Sequence, residues 1–346
     1  MNKPSIYGIH RVIHPQGVLP QAATKIDNTM ICRENEILVS VERLNIDSAS
    51  FTQIKRATSE DPEKMKEMIL GIVSEKGKMQ NPVTGSGGMF LGTVKEIGKD
   101  LNIDLKPGDK IASLVSLSLT PLKIEKITHI DMHKDQVDII GEAILFESGI
   151  YAKIPSDLPE NIVLSALDVA GAPAQVKRLV KENDTVLILG ASGKSGTLCA
   201  YQARISAGKN GCIIGIIHAQ SHYEEMKSLG IFDEIIVADA RNPLEVLEKV
   251  KAVNNGELVD VTINVVNVEN TEMSSILPTK DSGIVYFFSM ATSFTKAALG
   301  AEGIKKGCTM MIGNGYTKGH ADLTLNLLRE SKQLYDLFKE RYGKEE

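Results

Sequence analysis

The sequence predicts an α/β fold in two parts, a small antiparallel β-barrel-like unit followed by a doubly wound parallel sheet, and three observations point to it. Up to about residue 155, short apolar runs alternate with glycine and proline turns. Beyond that point continuous apolar runs such as VLILG, CIIGIIHA and VDVTINVV recur between helix-length stretches, the texture of parallel strands covered on both faces. The segment VLILGASGKSG at 186–196 then sets three glycines three residues apart, between a buried strand and a helix.

Taken in order, EILVSVERLNI from Glu36 alternates apolar and polar positions as a half-buried strand does. GMFLGTVKEIG (88–98), KPGDKIASLVSL (106–117) and AILFESGIYAKIP (143–155) add short strands to the first part. From Leu158 a helix-length stretch, PENIVLSALDVAGAPAQVKRLV, leads into strand VLILG, the glycine loop, a helix through Ala207 and strand CIIGIIHA, which is one complete βαβ unit. Ser221 with Glu224 reads as a capping box for the next helix, and Asn242-Pro243 as an N-cap with proline at the first helical position. Strands follow at EIIVAD (234–239), VDVTINVV (259–266) and GIVYFFSM (283–290). Apolar residues at 323, 327, 334 and 338 keep one face of a last helical stretch, Asp322 to Tyr342, against the body.

A chain of 346 residues with 42% hydrophobic and 24% charged residues is that of a soluble globular protein of about two domains. A net charge of −5 without any run of lysine or arginine argues against nucleic acid or anionic lipid as partners. No apolar stretch approaches the roughly 20 residues of a membrane span, and MNKPSIYGIH has no leader pattern, which predicts a cytoplasmic protein. Cys32, Cys199, Cys212 and Cys308 form no CxxC pair and read as reduced structural thiols.

The glycine loop implies a dinucleotide cofactor on a Rossmann unit. Gly190 allows the tight turn, Gly193 lets the backbone approach phosphate, and Gly196 lets helix approach strand. Ser192, Lys194 and Ser195 complete the cradle, where the helix N-terminus favours the pyrophosphate charge. The acid that commonly holds the ribose 2′-hydroxyl, about 20 residues on, is absent, and His218 stands there, followed by Ala219, Gln220, Ser221 and His222. Lys194 and His218 could meet a 2′-phosphate. Equally, Lys194 could be a solvated loop residue and His218 a partner of the ribose, so NAD and NADP both stay open. The chain reads as a nicotinamide-dependent oxidoreductase.

The order of these features resembles the medium-chain dehydrogenase/reductase superfamily. GMFLGTVKEIG with LKPGDKIA, MKSLGIFDEIIVAD, and Gly315 with KGHADL match its stretches in sequence order. The resemblance implies a GroES-like catalytic domain of residues 1–157 and 309–346 and a Rossmann domain of residues 158–308. It also implies a homodimer formed by edge-strand pairing between Rossmann domains. At the places where zinc-dependent members keep their ligands this chain has Asn45, Gly88 (with Met89 beside it) and Ser165 or Ala166, none of them a good ligand for zinc, which needs three. That places it with zinc-free members resembling quinone oxidoreductases. More narrowly, KPSIYGIHRVIHPQGVLPQAATKIDN, the GSGGMFLG turn and SALDVAGAPAQV are similar to the L-erythro-3,5-diaminohexanoate dehydrogenase family. That family oxidatively deaminates a diamino acid to 5-amino-3-oxohexanoate with NAD, or NADP in some cases.

Oxidising an amine needs a neutral amine at the reacting carbon and a water activated against the imine, and a carboxylate serves both steps. By the resemblance, Asp47 lies near the proton-relay position at the end of a strand, facing the cleft. Ser48 beside it could pass a proton, and Asn45 could orient substrate. The plain alternative is turn chemistry, since Asn, Asp and Ser favour caps and Asx turns. Asp168, in the apolar run VLSALDVAGA, is the second candidate, with a helix-surface aspartate as its alternative. Two rival functions remain open at this stage, a zinc-independent NADPH:quinone or enone reductase and a protein that binds NADPH without turnover.

Overall fold

The computed structural model describes residues 4–313 and 315–343, and the chain divides into two units after Asp168. In the first unit Val12–His14 (β1) and Lys25–Ile26 (β2) form a two-stranded ribbon. The main strands are Glu36–Asn45 (β3), Met89–Ile97 (β4), Lys110–Ser113 (β5), Leu122–Asp131 (β6), Gln136–Phe146 (β7) and Tyr151–Lys153 (β8). They make an antiparallel sheet in the order β6-β7-β3-β4-β5-β8, with β3 at its centre between β7 and β4. Val39, Val41, Leu44, Val94, Val137 and Leu145 from this sheet share one buried cluster.

That cluster is completed by two helices where the sequence pattern predicts none, Ser48–Ala57 (α1) and Pro62–Lys76 (α2). Their local signals are complete. Asp61 caps α2 by accepting from the Glu63 and Lys64 N–H groups, Pro62 occupies the first turn, and Gly77 closes the helix at φ 75°. Met65, Ile69, Ile72 and Val73 then face the core at helical spacing. At the start of the central strand β3, Arg11 is 1% exposed and meets Glu36 through two 2.6 Å bonds from Nε and Nη2. Its remaining donors reach the carbonyls of Asp27, Thr29 and Ile31, so the pair is saturated.

The stretch from Pro159 is two helices rather than one, Glu160–Leu167 (α3) in the first unit and Gly171–Leu179 (α4) in the second. The second unit continues with Thr185–Leu189 (β9), Lys194–Ala207 (α5), Cys212–Ile217 (β10), Tyr223–Ser228 (α6) and Glu234–Val237 (β11). Pro243–Val253 (α7), Val259–Asn264 (β12), Glu272–Ile276 (α8), Thr279–Phe287 (β13), Phe294–Gly303 (α9) and Thr309–Ile312 (β14) complete the sheet layers. The sheet is parallel in the order β11-β10-β9-β12-β13-β14, so strand order reverses between β9 and β12, at the carboxyl ends where such folds bind ligand. Pro243 opens α7 as expected, but Ser221 lies in a 3₁₀ turn and makes no cap for α6.

The last stretch splits at Ser331 into His320–Glu330 (α10) and Lys332–Tyr342 (α11), and the Ser331 hydroxyl accepts from the Leu334 N–H. β14 adds the sixth strand of the parallel sheet beside β13, α10 packs on α4 and α5, and Leu337 joins the core of the second unit. All four cysteines are free thiols. No helix among the described residues is long and apolar enough to cross a membrane.

Candidate functional site

In the second unit the chain leaves β9 through Gly190 at φ 86° and enters α5 with Gly193 as the N-cap. Gly196 is demanded by packing, because a Cβ there would stand 2.1 Å from the Gly190 carbonyl oxygen. Over Gly193 the space is open, since a Cβ would meet only that same oxygen, at 3.4 Å. This is the arrangement a pyrophosphate requires: Ser192, Lys194 and Ser195 are half-buried around an exposed glycine, and the first-turn N–H groups of α5 point beyond it. The residues therefore fit a nicotinamide dinucleotide, which when bound supplies the hydride acceptor.

Groups distant in sequence brace this loop. Arg341 of α11 donates to the Ser192 carbonyl at 2.7 Å and grips Glu225 at 3.1 and 2.5 Å. Burial would raise the Glu225 carboxyl, but the Arg341 bonds outweigh it and hold the group below its ordinary value. The Lys194 ammonium lies 5.9 Å from the centre of the Tyr342 ring. His218 follows β10 and is exposed. Near it, Asp239 is chelated by Arg241, whose Nε lies 3.0 and 3.1 Å from the two carboxylate oxygens. Sequence reasoning missed both Arg341 and the Asp239–Arg241 pair. Arg341 acts across 149 residues, and the spacing of Asp239 and Arg241 is that of an ordinary turn.

In the first unit the NIDS turn joins β3 to α1. Asp47 is the N-cap of α1: one carboxylate oxygen accepts from the Ser50 N–H at 3.0 Å, and the other accepts the Ser86 hydroxyl at 2.7 Å. The capping alternative thus describes one oxygen, while the other opens a hydroxyl chain, with Ser86 3.1 Å from the Ser50 oxygen and that oxygen 2.6 Å from Thr84. Ser48 turns the other way and donates to Asp135 at 2.8 Å. Asn45 is 1% exposed; its side-chain oxygen accepts from Gln136, and its amide nitrogen has no partner among the described residues. Asp47, Ser48, Ser86 and Asp135 are all half-exposed, so one polar surface gathers two carboxylates and their hydroxyls. Sequence reasoning named the first two and missed Ser86 and Asp135, which lie 39 and 87 residues from their partners.

The GSGG turn sits hard against this surface. Gly88 has φ 94°, and a Cβ on it would come 2.0 Å from the Asn45 carbonyl oxygen and 2.8 Å from the Asp47 nitrogen. No side chain fits at 88 in this conformation. Asp168, the second candidate acid, is the half-buried C-cap of α3 and its N–H donates to the Leu164 carbonyl at 3.1 Å.

Comparison with known proteins adds the following. Residues 10–155 match the family described as L-erythro-3,5-diaminohexanoate dehydrogenase N-terminal domain. A protein named L-erythro-3,5-diaminohexanoate dehydrogenase from Acetoanaerobium sticklandii is 59% identical over 97% of this chain and 98% of its own length. One of the same name from Fusobacterium nucleatum subsp. nucleatum is 58% identical over 99% of this chain and 100% of its own. Among solved structures, an alcohol dehydrogenase from Thermotoga maritima has a TM-score of 0.56 at 15% identity, over 91% of this chain and 86% of that one. That similarity shows a shared fold, the medium-chain dehydrogenase architecture of a β unit and a Rossmann unit.

Proposed function

The chain belongs to the L-erythro-3,5-diaminohexanoate dehydrogenase family, and we propose that it oxidises the C3 amine of L-erythro-3,5-diaminohexanoate, giving 5-amino-3-oxohexanoate, ammonia and reduced nicotinamide cofactor. The observation that carries this reading is near-identity of length with two dehydrogenases of that name at almost 60% sequence identity. The cofactor is NAD, with NADP also admitted, because the end of β10 carries His218 instead of an acid that would repel a 2′-phosphate.

In this reading the substrate amine must lose a proton before C3 can release hydride. Asp47 takes that proton, its carboxylate oriented by the Ser50 N–H and the Ser86 hydroxyl. A nicotinamide held by the glycine loop would supply the acceptor for the C3 hydride, and the substrate left behind would be the iminium. Asp47 passes the amine's proton on through the Ser86 hydroxyl to solvent and is a carboxylate again. It then draws a proton from water as the water adds to C3 and returns it to the carbinolamine nitrogen. Ammonia leaves with the C–N electrons while the new hydroxyl loses its proton, and one water is consumed per amine. Ser48 assists the proton exchange and Asp168 is the second acid of the site, whereas Asn45, 1% exposed, lies too deep to orient substrate as the sequence suggested. No zinc is required: Asn45 and Gly88 replace two ligands, and Gly88 has no room for a side chain. The protein acts on a small amino acid in the cytoplasm, as a homodimer paired along β14, which bonds a neighbour on one side only and exposes Ile312.

The test is a substrate panel with either cofactor: L-erythro-3,5-diaminohexanoate, simple β-amino acids, quinones and enones, with zinc assayed in the same protein. Amine-dependent cofactor reduction is the predicted result. Cofactor oxidation by quinones or enones alone, or turnover that needs stoichiometric zinc, contradicts it.

A further inference from the structure

The acid missing from the end of β10 has a counterpart one strand over. β10 and β11 run parallel in register, Ile217 beside Val237, and the Ala238 N–H donates to the Ile217 carbonyl at 3.0 Å. The two chains therefore leave the sheet side by side, about 4.8 Å apart, His218 from one and Asp239 from the other. Arg241 closes on Asp239, with Nη2 2.6 Å from Oδ2 and Nε 3.0 and 3.1 Å from the two oxygens. These bonds, with His218 adding its pull, hold the Asp239 carboxyl down to about 2. Both side chains stay reachable, 27% exposed for Asp239 and 57% for Arg241.

We propose that Asp239 and Arg241, acting from the neighbouring strand, read the 2′ position of the adenosine ribose: Asp239 accepts the hydroxyl of NAD, and Arg241 with His218 takes the phosphate of NADP. This rests on the glycine loop being a dinucleotide site, since the βαβ unit then directs the ribose to the end of β10. The chemistry follows from the inventory of the pair. A carboxylate accepts about four hydrogen bonds and a guanidinium donates five, so each keeps capacity for a ligand while bonded to the other. Paired, their charges nearly cancel, so neither cofactor meets a bare repulsive charge. Removing either partner unmasks the other.

NADH and NADPH are titrated, by their fluorescence, into the full-length wild-type protein, Asp239→Asn and Arg241→Ala. Asparagine still offers the side-chain oxygen that accepts the Arg241 backbone N–H at 2.9 Å, so the turn is kept and only the charge is lost. Asp239→Asn should weaken NADH about tenfold while NADPH holds or tightens, and Arg241→Ala should weaken NADPH about tenfold while NADH holds, the worth of one charge-assisted bond. Opposite movement of the two cofactors is the signature. Equal shifts for both cofactors in either variant, as loss of a merely structural turn would give, or no shift at all, overturn the assignment. The titrations contain no amine substrate, so a wrong substrate would leave this pattern intact.

Discussion

At the scale of single residues, Asp47 gives one oxygen to the α1 cap and the other to the Ser86 hydroxyl, so the catalytic role proposed for it can be separated from its structural one. Asn caps a helix about as well as Asp, so Asp47→Asn should keep the α1 cap and the melting temperature while lowering kcat about 10²- to 10⁴-fold, as expected for loss of a general base. NADH affinity, read by fluorescence titration, should be unchanged; undiminished kcat would remove Asp47 from the mechanism. The NIDS turn was legible in the sequence because its residue types announce a polar turn after an apolar strand. Ser86 and Asp135 were not, because their partnership with Asp47 and Ser48 exists only after β4 and the β6–β7 hairpin have brought distant turns together. The unpartnered Asn45 nitrogen is likewise invisible before folding.

At the scale of elements, the glycine loop was the most legible feature, since strand, three glycines and helix are contiguous. Two substitutions divide its functions. Gly196→Ala puts a methyl 2.1 Å from the Gly190 oxygen and should cost about 1–3 kcal/mol of stability in a denaturant titration, besides weakening cofactor binding. Gly193→Ala meets its neighbour at 3.4 Å, ordinary contact, and should weaken NADH without lowering the melting temperature, because it fills only the approach to the phosphate. Helices α1 and α2 went unseen although Asp61-Pro62 and Gly77 bracket α2 clearly; the surrounding short strands set a β-rich texture that masked a helix serving the same core. The anchor of β3 gives an acid-sensitivity prediction. Burial would raise the Glu36 carboxyl, but bonds from Arg11 and His10 outweigh it and bring the group to about 2, below its ordinary 4.5. A carboxyl lowered by folding stabilises the protein above its unfolded value, and that contribution fades as pH falls from about 4.5 toward 2. Glu36→Gln should lose that pH-dependent part and, by leaving Arg11 buried without its counter-charge, about 3–5 kcal/mol at neutral pH by chemical denaturation.

At the scale of the whole molecule, fold class was readable because period-two runs and continuous runs occupy different halves of the chain, whereas the fate of the C-terminal segment was not. Thr309–Ile312 is too short and too exposed to declare itself, yet it is the sixth strand of the parallel sheet. Its open side is the proposed dimer edge. Ile312→Pro there should yield monomers in size-exclusion chromatography with light scattering while preserving the fold by circular dichroism; an unchanged dimer would place the interface elsewhere. The central claim, that this dehydrogenase removes an amine, is tested most directly by product stoichiometry. With L-erythro-3,5-diaminohexanoate and NAD in excess, reduced cofactor and ammonia should appear together in equal amounts. Reduced cofactor without ammonia, or neither product, would contradict it.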